Sequence, residues 1–406
     1  MRTDMRTVEE HERIVAALIQ PRPAAALALA PAEGLVLADD VVAGLSLPGF
    51  DNSAMDGYAV LAEDVASASP ERPVRLPVAE DIPAGRTDAL TLAAGTAHRI
   101  MTGAPLPAGA TAVVPVEATD GGTGTVEIRS AAEPGAHIRR AGEDVTAGTT
   151  VLHRGATMTP AALGLAAALG IAELTVRPRQ RVLVMSTGTE LVAPGAPLKP
   201  GQIYESNAVM LAAAVREAGG EVVAATMTGD DVAEFRSALQ RHTPGADLIV
   251  TTGGVSAGAY EVVKDTLSGG DRSGDEVQFA KVAMQPGMPQ GAGRVSGVPI
   301  VTLPGNPVSA LVSFEVFVRP ALRAAMGLAH PRRPQRSATL TEALSSPAGK
   351  RQFRRGVLEG DRVTTYGPPA SHHLRWLASS NCLLEIPEDV THVESGAAVR
   401  VWDLTG

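Results

Sequence analysis

The stretch Ala246–Gly258, ADLIVTTGGVSAG, decides how the rest of the chain is read. A short apolar run, Leu248-Ile249-Val250, passes through two threonines into the pair Gly253-Gly254. Val255-Ser256-Ala257-Gly258 follow, then a polar continuation, Glu261-Val262-Val263-Lys264-Asp265. A buried strand that ends in glycines and re-enters as a helix presents bare backbone N–H groups, and the helix dipole adds to their preference for an anion such as phosphate. Glycine suits such a turn because it accepts positive φ and lets a ligand approach the backbone. The pattern is neither G-x-G-x-x-G nor G-x-x-x-x-G-K-[ST], so taken alone it also fits an ordinary strand-to-helix turn.

Outward from this stretch the same alternation repeats. Val182–Met185 reads as a strand followed by the polar turn Ser186-Thr187-Gly188-Thr189-Glu190. Asn207 fits the N-cap of a helix over Ala208–Ala218, and Gly219 fits its end. Val222–Ala225 is a strand, and Asp230-Asp231 opens a helix to Gln240. Val277–Met284 reads as another strand, ending in Gln285-Pro286-Gly287-Met288-Pro289. Pro299–Leu303 is the next, followed by Pro304-Gly305-Asn306-Pro307 and a helix to Met326. Strands and helices alternating at this spacing make a parallel α/β sheet. Each polar turn follows a strand, so the turns converge on the carboxyl edge, where open parallel sheets bind ligands.

The flanks differ. Val8–Ile19 has helical apolar spacing and is stopped by Pro21 and Pro23. Ala24–Leu29 reads as helical and Leu35–Val42 as a strand-like run. Leu47–Val60 crowds Asp51, Ser53, Asp56 and Tyr58 into a turn-rich stretch, which is either a functional loop or a tight turn capped by Asx motifs. Residues 60–140 carry short β-type runs broken by Pro and Gly, with Thr102 and Gly103 at a strand end. Pro160–Leu169 is an alanine-rich helix closed by Gly170. Pro331–Pro334 reads as a linker into a small β domain over 335–406. His372 and His373 are adjacent, so on a strand they would face opposite ways and form no metal pair.

Composition narrows the class. The 406 residues are 45% hydrophobic and 19% charged, enough for a core shared among several domains. A net charge of -9 disfavours nonspecific nucleic-acid binding. The single cysteine, Cys382, leaves no internal disulfide and no multi-cysteine metal site. The charged N-terminus lacks a signal-peptide core, and no apolar run reaches the roughly 18 residues of a membrane span. The expectation is a soluble, cytoplasmic protein.

Seven motifs stand in order: PGFDNSAMDGYA from Pro48, RIMTGAPLP from Arg99, STGTEL from Ser186, GQIYESN from Gly201, TTGGVSAG from Thr251, LPGNPVSA from Leu303, and SHH…SSNCLLEIPE from Ser371. Together they resemble the molybdopterin molybdenumtransferase family, MoeA, which includes the C-terminal domain of gephyrin, over nearly the whole chain. The resemblance implies an elongated, multidomain α/β + β protein. Residues 1–23 form an N-terminal helix that packs with a parallel α/β molybdopterin-binding domain at 177–326. Segments 24–48 and 140–176 form a central linker, 49–139 a β-rich insertion domain, and 327–406 a small C-terminal β barrel. It further implies a homodimer whose sites are built from both subunits.

The implied reaction turns adenylylated molybdopterin and molybdate into molybdenum cofactor, AMP and water, with Mg²⁺. In that reading Asp56, Thr102, Glu190 and Lys281 are catalytic. Ser186, Asn207, Gly253, Gly254, Val255, Ser256 and Pro304-Gly305-Asn306-Pro307 bind the substrate. Glu190, Asp230 and Glu261 offer the hard oxygen ligands a divalent ion needs. Asp230 reads equally as a helix N-cap, and Glu261 as a solvated helix face. Family members commonly read KPGKP where this chain has Gln285-Pro286-Gly287-Met288-Pro289. Molybdate would then be held by Gln285 and Pro289, with Arg351, Arg354, Arg355 and Ser371 replacing the missing cations. A second reading keeps the fold without the chemistry: a gephyrin-like scaffold gripping a short peptide of a tubulin-like cell-division protein.

Overall fold

A computed structural model describes residues 5–254, 262–267 and 276–405. They fall into two compact units, Met1–Ala26 with Thr175–Gly406, and Leu27–Leu174.

Helix α1 spans Val8–Leu18 and belongs to the first unit. The Glu10 N–H donates to the Thr7 hydroxyl at 3.1 Å, and the Thr7 N–H donates to Glu10 Oε2 at 2.9 Å. This reciprocal box satisfies two donors that a helix start otherwise leaves free. The stretch Ala24–Leu29 is not helical; it contains a strand, Ala25–Ala28. Lying between Pro23 and Pro31, it is too short for alanine propensity to offset helix nucleation. The run Leu35–Val42 resolves into two short strands, Val36–Leu37 and Val41–Val42.

The second unit is built on β1 (Gly57–Val60), β2 (Val74–Ile82), β3 (Ala97–Ile100), β4 (Ala112–Pro115) and β5 (Thr125–Ile128). They pair in the order β4-β1-β3-β2-β5, and β2 and β3 run parallel. Tyr58 is fully buried among Val60, Val114, Val126 and Ile128, and its hydroxyl donates to the Gly122 carbonyl at 2.9 Å. Helix α2, Pro160–Ala168, is capped by the Thr159 hydroxyl, which accepts from the Ala162 N–H.

In the first unit, β6 (Arg181–Thr187), α3 (Asn207–Glu217), β7 (Glu221–Thr228), α4 (Val232–His242), β8 (Leu248–Thr252) and α5 (Val262–Leu267) alternate as the sequence implies. The single strand expected over Val277–Met284 is two strands, β9 (Glu276–Lys281) and β10 (Met284–Gln285). An unforeseen strand, β11 (Pro289–Val295), turns back into β12 (Val298–Leu303). The sheet order is β7-β6-β8-β12-β11-β9. It is therefore mixed rather than wholly parallel: β11 is antiparallel to both β12 and β9. Two reversals restore direction, so β9 still ends on the same edge as β6, β8 and β12.

The central strands are buried on both faces, and their side chains alternate between two cores. Val182, Val184, Leu248, Val250, Val301 and Leu303 join α1, α3 and the helices after β12. Leu183, Met185, Ile249 and Ile300 join α4 and α5. Period-two alternation with apolar residues at every position is what a doubly covered parallel strand requires. After β12 the chain runs through α6 (Pro307–Ser313), a π-helical turn (Phe314–Val318) and α7 (Arg319–Ala325).

The segment Pro331–Pro334 is not a loose linker. Arg333 is buried between Glu315, at 2.9 Å, and Glu217, at 2.6 Å, while Arg332 pairs with Glu12 at 2.5 Å. Beyond it, β13 (Gln335–Leu340), β14 (Arg351–Glu359), β15 (Arg362–Thr365), β16 (Cys382–Ile386) and β17 (Ala398–Asp403) form a barrel. It is ordered β14-β15-β13-β17-β16 and closed by β14 pairing with β16; β10 joins it by running parallel to β14. Helix α8 is Leu374–Ala378. No helix among the described residues is long and apolar enough to cross a membrane.

Candidate functional site

The carboxyl ends of β6, β8 and β12 meet at a cleft of about 640 Å³. Ser186, Glu190, Asn207, Asp230, Gly253, Gly254, Gly305, Asn306 and Pro307 line it, all of them residues singled out from the sequence. Asn207 ties the strand ends together: its side-chain amide donates to Thr252 Oγ1 at 3.0 Å and to the Gly305 carbonyl at 2.6 Å. Thr252 Oγ1 in turn donates to the Pro304 carbonyl at 2.9 Å, which ties Pro304 to the end of β8.

Gly253 adds no bare N–H to the cradle expected over Gly253, Gly254, Val255 and Ser256. Its N–H donates to the Leu303 carbonyl at 3.2 Å. Gly253 is required for packing instead. Its φ is +93°, and a Cβ there would lie 2.5 Å from the Thr187 carbonyl oxygen. Among the described residues no group accepts from the N–H of Gly254, nor from those of Gly305 and Asn306 just before α6. Val255, Ser256 and Glu261 lie outside the described residues.

Two of the carboxylates singled out from the sequence, Glu190 and Asp230, line the cleft. Asp230 Oδ2 accepts from the Thr189 N–H and hydroxyl, each at 3.1 Å. The cap of α4 is provided by Asp231 rather than Asp230; Asp231 accepts from the Glu234 N–H at 2.8 Å. Glu190 is exposed, its carboxylate folded over Gly188. Mg²⁺ is usually held by one or two carboxylates plus substrate phosphates, so Glu190 and Asp230 suit that ion without a third protein ligand.

Asn207 is not the N-cap of α3; that position belongs to Ser206, which makes no side-chain cap bond. The cap comes from Glu205, which the sequence reading did not single out. Its Oε1 accepts from the Ala208 N–H at 2.6 Å and from the Ser186 hydroxyl at 2.7 Å. Glutamate two residues before a helix is not a usual cap signal, so only its place inside GQIYESN pointed to it. His372 also lines the cleft. It lies in a turn before α8, and its ring meets that of His373 edge to face at 4.3 Å. The opposite-facing arrangement expected of a strand is absent because there is no strand there.

The remaining residues lie apart from the cleft lining. Lys281 ends β9, exposed, in register with Pro289. Gln285 accepts from the Gln352 side-chain amide at 3.0 Å. The loop from Gln285 to Pro289 is pinned by Gln290, which donates at 2.6 Å to both the Gly287 carbonyl and the Ser313 hydroxyl. Arg351 is committed to Glu9 at 2.6 Å, Glu388 at 3.1 Å and Glu385 at 3.5 Å. Arg354 forms no ion pair among the described residues, and burial lowers its guanidinium pKa. Arg355 donates to the carbonyls of Pro368, Ala370 and His373, while the Ser371 carbonyl accepts from the Val308 N–H at 3.0 Å. These bonds hold the turn that carries His372.

Asp56 and Thr102 belong to the second unit. Asp56 Oδ1 accepts from the Thr102 N–H at 2.7 Å and hydroxyl at 2.8 Å. These two bonds, the backbone one first, hold the Asp56 carboxyl below its ordinary range.

Comparison with known proteins covers the chain almost end to end. Residues 6–170 match the MoeA N-terminal region (domains I and II), 183–324 a probable molybdopterin-binding domain, and 337–404 the MoeA C-terminal region (domain IV). Molybdopterin molybdenumtransferase 2 of Mycobacterium tuberculosis is 68% identical over 99% of this chain and 100% of its own length. The molybdopterin molybdenumtransferase of Haemophilus influenzae is 36% identical over 92% of each. The crystal structure of a molybdopterin biosynthesis MoeA protein from Pyrococcus horikoshii superposes with a TM-score of 0.81 at 30% identity, over 99% of this chain and 100% of that one. A cleft at the carboxyl edge of an α/β sheet, a β-rich unit and a closed barrel, each under its own family match, make this chain a member of the MoeA family.

Proposed function

We propose that the protein inserts molybdenum from molybdate into adenylylated molybdopterin and releases AMP, in the cytoplasm, as a Mg²⁺-dependent homodimer. The observation that carries this reading is the cleft itself, whose lining brings Gly305 and Asn306 together with the carboxylates Glu190 and Asp230. The free N–H groups of Gly305 and Asn306 receive phosphate oxygens. Glu190 and Asp230 hold Mg²⁺, which when bound neutralises the pyrophosphate charge. Ser186 and Asn207 orient the substrate, and Lys281 offsets further negative charge at the same edge. The segment assignments implied by the resemblance go with this reading. So does a composite site in which Asp56 and Thr102 come from the second subunit. For molybdate we favour Arg354, beside Gln285, Pro289 and Ser371, because Arg351 is already neutralised by three carboxylates. No observation favours the peptide-scaffold reading.

The test is molybdate-dependent AMP release by the purified protein from adenylylated molybdopterin. Glu190→Gln keeps shape and removes charge. It should abolish Mg²⁺-dependent release while leaving the thermal midpoint within a few degrees of wild type. Full turnover by the variant would remove Glu190 from the chemistry.

A further inference from the structure

Glu205 is 6% exposed, yet it lines the cleft. Both of its hydrogen bonds, from Ser186 and Ala208, fall on Oε1. Among the described residues nothing donates to Oε2, and Oε2 is not one of the polar atoms sealed from solvent without a partner. The carboxylate is thus held rigidly by one oxygen while the other faces the cleft. A carboxylate oxygen accepts hydrogen bonds and donates none when ionised, so this position repels phosphate and welcomes an N–H group. A buried acceptor left unmatched is costly, which turns one such atom into a strong discriminator between ligands.

We infer that Glu205 Oε2 reads the amino-substituted edge of a heterocycle in the substrate. The inference rests on the proposed reaction, whose substrate carries two such groups: the 2-amino–N3–H edge of the pterin and the 6-amino group of adenine. Glu205 is then a specificity residue in contact with substrate, beyond its role in capping α3.

Two ligand pairs separate the sources. Pterin and lumazine differ at C2, amino against oxo; AMP and IMP differ in the same way at C6. Binding of each to the wild-type protein and to Glu205→Gln is measured by titration. The glutamine oxygen can keep the bonds from Ser186 and Ala208 and present its NH₂ to the cleft. Wild type should prefer the amino member of one pair by about ten- to a hundredfold, and Glu205→Gln should cancel or reverse that preference. A change confined to pterin and lumazine assigns Oε2 to the pterin; a change confined to AMP and IMP assigns it to adenine. Because the preference is a ratio within one sample, partial misfolding of the variant does not alter it. Equal preferences in wild type and variant, or no preference in wild type, overturn the inference. Absent AMP release alongside an intact, Glu205-dependent preference would overturn the proposed reaction but not the contact.

Discussion

Asp56 shows how far single residues can be read from sequence. Its presence in PGFDNSAMDGYA marked it, but nothing in the sequence paired it with Thr102, which lies 46 positions away. The pairing follows from strand register: β1 and β3 are antiparallel with Gly57 opposite Ile100, so the residues just before one and just after the other meet. The carboxyl of Asp56 is exposed and held below its ordinary 3.8 by the Thr102 N–H and then by the Thr102 hydroxyl. A carboxylate with a lowered folded pKa favours the folded state fully above its unfolded value, and the effect fades as pH falls through the folded value. Thr102→Val removes the hydroxyl and keeps the N–H. The Asp56 pKa should then rise part of the way toward 3.8 in an NMR titration of its side-chain carboxyl; an unmoved value would show that the hydroxyl carries none of the shift. Glu205 was illegible for a different reason. Its carboxylate reaches forward over the helix start, so the conventional cap residue beside it, Asn207, drew the assignment and proved to be a bridge between strand ends.

At the scale of elements, the strands with continuous apolar residues were readable because burial on both faces demands them. The strand β11 was not, since PQGAGRV carries little hydrophobic signal. Its glycines answer to close packing: a Cβ on Gly293 would lie 1.9 Å from the Glu276 carbonyl oxygen. The connection into the barrel was misread because two prolines and two arginines resemble a solvated linker, whereas partner carboxylates lie on distant segments. Those carboxylates differ in what they contribute. Glu315 and Arg333 are each 3% exposed and joined by two hydrogen bonds, at 2.9 and 3.0 Å, with Arg319 also within 3.7 Å of Glu315. Glu315→Gln leaves two buried guanidinium groups poorly matched and should cost about 3–5 kcal/mol in urea unfolding. Glu12→Gln, opposite the half-exposed Arg332, should stay within about 1 kcal/mol. Similar losses in the two variants would mean that burial does not set the strength of these pairs.

For the molecule as a whole, the division of the candidate site residues between units is the feature that sequence motifs alone cannot arrange in space. The cleft residues all lie in the unit formed by Met1–Ala26 and Thr175–Gly406, while Asp56 and Thr102 lie in Leu27–Leu174. In the proposed homodimer each site takes its cleft from one chain and its Asp56–Thr102 pair from the other, and this arrangement makes a quantitative demand. Asp56→Asn keeps an oxygen for both Thr102 donors, and Glu190→Gln keeps the shape of the cleft wall, so both variants should fold and each homodimer should be inactive. Co-expression of the two gives half heterodimers if pairing is random. In each heterodimer one site collects both substitutions and the other collects neither. Molybdate-dependent AMP release should therefore return to about a quarter of the wild-type level per chain. If Asp56 instead serves the cleft of its own chain, every site in the mixture carries one defect and nothing is recovered. Light scattering on the same samples separates the remaining case: a mass of one 41.7 kDa chain would rule out the dimer itself, whereas a dimer without recovery would leave the assembly standing and confine each site to a single subunit.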